Sequence, residues 1–433
     1  MCIRDRFHRY STDARWLVPH FEKMLYDNAL LPIVYCEAYQ ITKDNFFLDV
    51  VTKTLDYVIR EMTSPEGVFY SAQDADTDGE EGQTFVWKKR EIEEILGSDS
   101  EIFCMYFDVT DGGNFEGKTI LANNIKTSAI AFKFNKTEDE VNRIISEGSS
   151  KLLETRNKRT QPGKDDKVLT AWNGLMISAF VKGYKISGKS KYLDVALTAT
   201  DFYQEQFEKH GVLQRVFKDG KSKLNAYLDD YAYLANAVID MFEITGKQNY
   251  LNFAIKLSDH LIEHFWDDRN SNFFFTADDH EKLIIRPKSN YDLSMPSGNS
   301  VAVNTLLRLY HITREEKFHK ISQKILESQA TLAAENPFAF GYMLNVLYLE
   351  IQKPTEITIL NTQNSQIIST LNKKFLPEAI MVIISDNDEL DALSKFSFFA
   401  GKEYPIDQTN VFVCKNFSCS LPLVDISNIE ENL

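Results

Sequence analysis

No stretch of this sequence is apolar for long enough to cross a bilayer. The longest such runs, Ile380 to Ile384 and Ser300 to Leu307, fall far short of the roughly 20 residues a membrane helix needs, which excludes an integral membrane protein built on helices. Positive charge is also scarce: 48 Lys and Arg against 63 Asp and Glu leave a net charge of −15. That balance repels phosphate backbones and anionic headgroups, and no basic run offsets it, so neither nucleic acid nor a membrane is expected as a partner. Cysteine is sparse, with five residues (Cys2, Cys36, Cys104, Cys414, Cys419). Few, scattered and odd-numbered thiols suit a reducing compartment, and a cytoplasmic address is expected. There is no Gly-x-Ser-x-Gly elbow to support a serine hydrolase, and no low-complexity segment or long linker. What is present, 433 residues with 43% hydrophobic and 26% charged, is the composition of a packed globular protein.

The strongest internal signal is a repeat anchored on Ile41, Ile186, Ile244 and Ile312. Two residues before each stands an aromatic (Tyr39, Tyr184, Phe242, Tyr310), one after it a hydroxyl residue (Thr42, Ser187, Thr245, Thr313), and six after it a second aromatic (Phe47, Tyr192, Tyr250, Phe318). The pattern predicts a helix, a tight turn and a second helix packed back on the first, an αα-hairpin. The hydroxyl residue is expected to cap the second helix, a contribution of about 1 kcal/mol, and the two aromatics to meet at the corner. Twelve residues before each isoleucine the chain is small (Ala29, Gly174, Ala232, Ser300), so the helices should start close together. Thirteen before stand Asn28, Asn173, Tyr231 and Asn299; fourteen before, Asp27, Trp172, Asp230 and Gly298. These first turns are expected to share one end of the structure and to present polar and aromatic groups there.

Further helices are expected at 137–158, opened by a Thr137/Glu140 capping box, and at 336–351, with Pro337 in its first turn. That makes about ten long helices. A closed ring of six hairpins needs twelve, and the missing pair is expected to precede Met1. Gly67 to Tyr70, Thr84 to Trp87, Val212 to Phe217 and Phe273 to Thr276 read as short strands inserted between hairpins. After Pro354 the pattern becomes strand-like at Glu356 to Leu360, Ile380 to Ile384 and Asn410 to Cys414, with a helix at 364–374. The fold class is therefore mainly α: an (α/α)6 toroid of helical hairpins lacking its first hairpin (1–354), with small β inserts and a small α/β appendage (355–433) packed on it.

Several motifs have blander readings. Gly112 to Thr119 satisfies the P-loop pattern, but Glu116 would stand among phosphate oxygens and no helix-forming run follows, which favours a plain turn. Asp74, Asp76, Asp78 and Gly79 open like an EF-hand, but Phe85 occupies the twelfth position where a bidentate Glu is required. They are read as pocket carboxylates or a solvated acidic loop, and no metal or cofactor is expected. The Cys414/Cys419 spacing fits neither a redox pair nor a zinc ribbon, and unbonded packing at a strand end is expected. The segment Phe7 to Ser11 and Trp16 to Asn28 is dense in functional side chains. Pro19 is read as a helix start that places His20, Lys23 and Asp27 on one stripe.

With these residues in view, the chain resembles the YyaL-type family, which includes the spermatogenesis-associated, thioredoxin-domain proteins. The resemblance rests on Phe7 to Asn28, Glu61 to Gly67 leading to Ser71 to Asp76, Gly113 to Lys118, Asp165 to Leu175, Leu228 to Leu234 and Pro296 to Ser300. It implies a six-hairpin toroid like that of glycoside hydrolases and N-acylglucosamine 2-epimerases, preceded by a thioredoxin-like domain. Met1 to Arg6 stand where the family has glycines and read as a foreign junction.

The expected function is carbohydrate-active, with a small sugar-like ligand in the toroid funnel. Glycoside hydrolysis would draw two carboxylates from Glu22, Asp27, Asp74, Asp76 and Asp230; epimerisation would draw on His8 or His20 as the proton carrier. His8, Arg9, Trp172, Asn173, Tyr231 and Asn299 are the expected substrate-binding residues. The alternative is a non-catalytic binding module working with a thioredoxin-like domain that carries the chemistry.

Overall fold

The computed structural model describes residues 7–123, 125–281, 284–415 and 418–433; the reading of Met1 to Arg6, and Asn124, lie outside them. The strand β1 (Lys23–Met24) leads directly into α1 (Leu25–Thr42), then α2 (Asn45–Glu61) and the short strands β2 (Ala72–Gln73), β3 (Asp76–Thr77) and β4 (Glu80–Glu81). Four helices follow, α3 (Lys89–Leu96), α4 (Ser100–Tyr106), α5 (Thr127–Phe134) and α6 (Glu138–Arg156), then β5 (Lys164–Asp165) and β6 (Val168–Leu169). Next come α7 (Thr170–Ser187), α8 (Ser190–His210), the hairpin β7 (Gln214–Lys218) and β8 (Lys221–Asn225), α9 (Leu228–Thr245) and α10 (Gln248–Phe265). The strands β9 (Trp266–Asp267) and β10 (Asn272–Phe273) precede α11 (Gly298–Thr313), α12 (Glu316–Glu335) and α13 (Gly341–Gln352). The tail holds β11 (Thr355–Leu360), α14 (Ser365–Asn372), β12 (Ala379–Ile384), α15 (Asn387–Leu393), β13 (Asn410–Lys415), β14 (Ser418–Cys419) and α16 (Ile426–Asn432).

The chain divides into two compact units, with α1 and α2 passing from one to the other. The first comprises Met1–Asn28, Asp56–Met62 and Tyr70–Asp166; the second Ala29–Leu55, Thr63–Phe69 and Lys167–Leu433. In the first, β1, β2 and β5 form an antiparallel sheet. Helices α3 to α6 enclose Trp87, Ile92, Leu96, Phe103 and Leu152, with Ile102, Ile130, Val141 and Ile144 as a second cluster. The predicted Thr137/Glu140 capping box is formed, but its helix α6 packs with α3, α4 and α5 rather than in the run of hairpins. Gly112 to Thr119 is a turn closed by a Phe115–Lys118 bridge, with no helix behind it. Asp74, Asp76 and Asp78 are exposed around the β3–β4 turn.

The helix expected from Pro19 does not form. Residues 17–24 are extended, and α1 opens only at Leu25. Lys23 and Met24 pair with Gln73 and Ala72, so side chains alternate with period two: Phe21 and Lys23 are wholly buried, whereas His20 and Glu22 reach solvent. The helix expected from 336 likewise begins later, at Gly341, after a single turn of 3-10 helix over Pro337–Ala339.

In the second unit α7 packs on α8 and α9, α9 on α10 and α11, and α11 on α12 and α13. The corners repeat in atomic detail. Thr42, Ser187, Thr245 and Thr313 each end their helix and donate to the carbonyl four residues back, at 2.7, 2.6, 2.7 and 2.8 Å. Each also accepts the N–H two residues on, from Asp44, Lys189, Lys247 and Glu315. The hydroxyl thus ties the end of one helix to the start of the next. The residue between, Lys43, Gly188, Gly246 or Arg314, takes the left-handed conformation that turns the chain. Ring contacts fall one turn earlier than expected in two corners, with Phe47 on Tyr35 and Tyr192 on Phe180, and in the last Tyr310 stacks on His319. The small residues do allow close approach: a Cβ on Gly174 would come within 2.7 Å of the Tyr233 backbone.

The tail strands lie in the order β12-β11-β13-β14, parallel only between β11 and β12. All six residues of β11 are buried, the polar Thr355, Glu356 and Thr358 among them, and β12 packs against α9. Cys414 and Cys419 face each other across β13 and β14 and are disulfide-bonded, correcting the expectation of unbonded packing. Among the described residues no helix is long and apolar enough to cross a membrane, and no group of three or more His, Cys, Asp or Glu is placed to hold a metal.

Candidate functional site

Five helices of the second unit each turn one stripe, spaced three and four residues apart, toward a cavity of about 440 Å³. The stripes are Leu30, Ile33, Glu37 and Gln40 on α1; Leu175, Ser178, Lys182 and Lys185 on α7; Tyr233, Asn236, Asp240 and Glu243 on α9; Val301, Asn304 and Arg308 on α11; and Tyr342, Asn345 and Leu349 on α13. This spacing keeps one face of a helix in register along its length. The tail closes the side where these helices end, through Asn372, Lys374, Phe375, Pro377, Ile380 and Met381.

The cavity wall carries three carboxylates and four cations, of which Lys374 on the tail is paired with Glu430 at 3.1 Å. Lys182 meets Glu37 at 2.9 Å. Arg308 meets Asp240 at 2.7 Å and Glu243 at 2.8 Å, Lys185 lies 3.5 Å from Glu243, and the Ser178 hydroxyl donates to Asp240 at 2.6 Å. Burial opposes the charge on Lys182 and Arg308, but Glu37 beside the first and Glu243 with Asp240 beside the second overcome it and raise both cations above their ordinary values. Asn304 donates to the Asn236 side-chain Oδ1 at 3.0 Å and to the Tyr342 hydroxyl at 3.2 Å. Burial pushes the Tyr342 phenol and the Cys36 thiol, both in the wall, each up to about 12, so neither ionises near neutral pH.

The first turns hold a different device from the one expected. Asn173 is wholly buried and clasps the Phe69 backbone, accepting its N–H at 2.8 Å and donating to its carbonyl at 2.9 Å, with a second donation to Leu169. Asn299 does the same to Phe273, at 2.9 and 3.2 Å, and in the first unit Asn28 does it to Phe7, at 3.1 and 3.0 Å. In the third repeat the Tyr231 hydroxyl accepts the Leu213 N–H at 3.0 Å. The recurring polar position thus secures an inserted segment to the head of each helix, and Asn173, Tyr231 and Asn299 do not line the cavity. Trp172, beside Asn173, is half-buried.

Asp230 is 1% exposed. It accepts the Ala171 N–H of α7 and the Tyr227 N–H before its own helix, both at 2.9 Å, and faces Arg215 at 3.4 Å. Burial pushes its carboxyl up to about 6, against the pull of Arg215 and those N–H groups. Its neighbour Asp229, not among the expected site residues, has a buried Oδ1 with no partner. Burial, then the charge of Asp230, raises the Asp229 carboxyl to about 7, against Arg215 and the Gly298 N–H. The sequence signal that could have singled it out is its place four residues before Tyr233, on the α9 stripe.

In the first unit Arg9, His20, Glu22 and Asp27 do gather. Arg9 meets Glu22 at 3.4 Å, and His20 lies 3.5 Å from Glu22 and 2.8 Å from Glu81. The His20 bond holds Glu81 below the usual carboxylate range. Burial raises Asp27 to about 6, opposed by Arg9 and aided by Glu22, and its Oδ2 is buried without a partner. His8 faces inward, bonded to the Phe21 carbonyl at 2.8 Å, and burial with Lys23 beside it holds its pKa well below the ordinary value. Asp74 and Asp76 remain on the exposed turn.

The chain is 28% identical to human spermatogenesis-associated protein 20 over 98% of its own length and 60% of that protein's, and 29% identical to the rat protein over 98% and 59%. The chain is a homologue of spermatogenesis-associated protein 20. It spans about 60% of the length of those relatives. The family model of the beta-L-arabinofuranosidase GH127 catalytic domain matches residues 153–330. Solved structures that resemble this homologue include cellobiose 2-epimerase from Bacillus thermoamylovorans (TM-score 0.46, 10% identity, 75% of this chain and 66% of that one). A GH76 alpha-mannanase from Bacteroides thetaiotaomicron is another (0.43, 11%, 87% and 84%).

Proposed function

We propose that this chain binds a small, uncharged, sugar-like ligand in the cavity of its second unit. The observation that carries the reading is the cavity wall itself. Three anions there are matched by Lys182, Lys185 and Arg308, while the fourth cation, Lys374, is paired with Glu430 outside the lining; amide and hydroxyl groups from five helices supply donors and acceptors, and Tyr233 and Tyr342 supply rings. A neutral polyol with an apolar ring face matches that mixture, whereas a charged ligand would upset a balanced, half-desolvated network. The match of residues 153–330 to a glycosidase catalytic domain supports the same ligand class. The five inner helices are read as an arc of a six-hairpin toroid. The Arg9, His20, Glu22 and Asp27 cluster remains a candidate for proton transfer.

A thermal-shift screen against mono- and disaccharides, repeated with Asn304→Leu, tests it. A ligand at 100 times its Kd stabilises the folded state by about 2.7 kcal/mol. The expected result is a sugar that raises the melting temperature of the wild type and much less that of the variant; no sugar doing so would refute it.

One observation favours a second reading, a non-catalytic binding module beside a thioredoxin-like domain: Glu37, Asp240 and Glu243 are all engaged by cations, and the tail walls one side. The cytoplasmic address is part of the proposal, and trapping thiols during lysis tests it, since a reduced Cys414–Cys419 pair is expected there.

A further inference from the structure

We propose that Asp229 is the group that exchanges a proton with the cavity's ligand, and that the reaction it serves is hydrolysis of a neutral glycoside. The inference rests on the sugar-binding reading and goes beyond it. Along α9 the cavity-facing residues run Tyr233, Asn236, Asp240, Glu243; one step of four toward the helix start lands on Asp229, whereas Asp230 falls off the stripe. The tail closes the side where the helices end, and Asp229, in the first turn of α9, stands at the opposite end of the stripe, one turn beyond the last lining residue Tyr233. The other carboxylates on these stripes are neutralised: Glu37 by Lys182, Asp240 by Arg308 and Ser178, Glu243 by Arg308 and Lys185. Asp229 has a buried oxygen with no partner.

Its surroundings adjust it for the task. A Cβ at Gly298 would lie 2.3 Å from Oδ1, so it is the glycine opening α11 that admits the carboxyl, with the Gly298 N–H near enough to lower its pKa. Facing it are Asp230 and Arg215, with the Tyr233 and Tyr342 phenols and Asp292 around that end. Burial and Asp230 favour the protonated form; Arg215 and the Gly298 N–H hold it within reach of ionisation, the range a general acid needs. In the step, the Asp229 O–H breaks as its proton passes to the glycosidic oxygen. The bond from that oxygen to the anomeric carbon cleaves, its electron pair remaining on the departing oxygen. A water adds to the anomeric carbon, and the proton it sheds restores Asp229. Asp230, bonded to α7 and to its own helix start, is a positioning residue.

The test compares methyl and p-nitrophenyl β-L-arabinofuranosides, whose leaving groups differ in their need for a proton, on the whole chain. Asp229→Asn is expected to lose about 10²–10⁴-fold in kcat/KM on the methyl glycoside and far less on the aryl one, and to lose the limb of the pH profile near 7. Asp230→Asn is expected to slow both substrates alike with the limb retained. ¹³C-carboxyl titration should show one aspartate near 7 in the wild type and none there in Asp229→Asn. Binding of L-arabinose without turnover of either glycoside overturns this inference and leaves the ligand reading standing; no stabilisation by any sugar overturns the reading beneath it. Equal losses on both glycosides in Asp229→Asn also overturn the inference.

Discussion

Arg308→Met should expose how the cavity wall is held. Arg308 is 8% exposed and bonds Asp240 and Glu243, themselves 9% and 6% exposed. Its loss leaves two buried carboxylates facing each other, with only Ser178 on one and Lys185 at 3.5 Å on the other. Breaking a buried pair this way typically costs about 3–5 kcal/mol, because a charge is left uncompensated. At about 2 °C per kcal/mol for a large domain, the melting temperature should fall by roughly 6–10 °C at pH 7.5. The sign with pH follows from linkage. In the variant the folded-state carboxyl pKa rises above the unfolded value, so the penalty is full above the folded pKa and fades as pH falls toward the unfolded one. The deficit relative to wild type should therefore shrink at pH 5. Replacing all three groups (Arg308→Met, Asp240→Asn, Glu243→Gln) should recover most of the loss. Circular dichroism melts at the two pH values measure this. A deficit under about 1 kcal/mol at pH 7.5, or one that grows on acidification, would refute the reasoning.

Asn173→Ala should cost about 2–4 kcal/mol, since the Phe69 N–H and carbonyl lose buried partners, and hydrogen exchange at the Phe69 amide should accelerate. Asp27→Asn should raise the melting temperature at pH 8 and leave it unchanged near pH 3, because burial raises the Asp27 carboxyl to about 6 and only the ionised form is penalised; a lower melting temperature at pH 8 would contradict this. Thiol titration of unfolded protein purified in air without reductant should count two more thiols after reduction than before, reporting the Cys414–Cys419 bond. Thr137→Ala should destabilise α6 by about 1 kcal/mol through loss of its capping box, seen in urea unfolding.

The hairpins were legible because each corner closes within a few residues. Thr245 reaches Met241 and Lys247, Gly246 supplies the left-handed residue between, and such local bonds leave a spacing that repeats. The tail strand β12 was legible for another reason, since its run Ile380 to Ile384 is buried on both faces and has no polar alternation to hide it. The stretch after Pro19 was misread because its partner is remote. Lys23 and Met24 pair with residues some fifty positions on, and that ladder overrides the helical spacing of His20, Lys23 and Asp27.

The site divides along the same line. Which side chains can share a helix face follows from spacing, so the stripe from Asp229 through Glu243 was already written in the order of residues. Which polar group faces solvent, backbone or cavity was not. Asn173 and Asp230 look like ligand groups until Phe69 and Ala171, 104 and 59 positions away, take up their hydrogen bonds. The sequence by itself determined the hairpins, their corners and the tail strands, because short-range hydrogen bonds and periodic burial are properties of neighbours. Only the tertiary structure decided which carboxylates are neutralised and which is left to act, because a buried charge takes its state from whatever distant segment is folded against it.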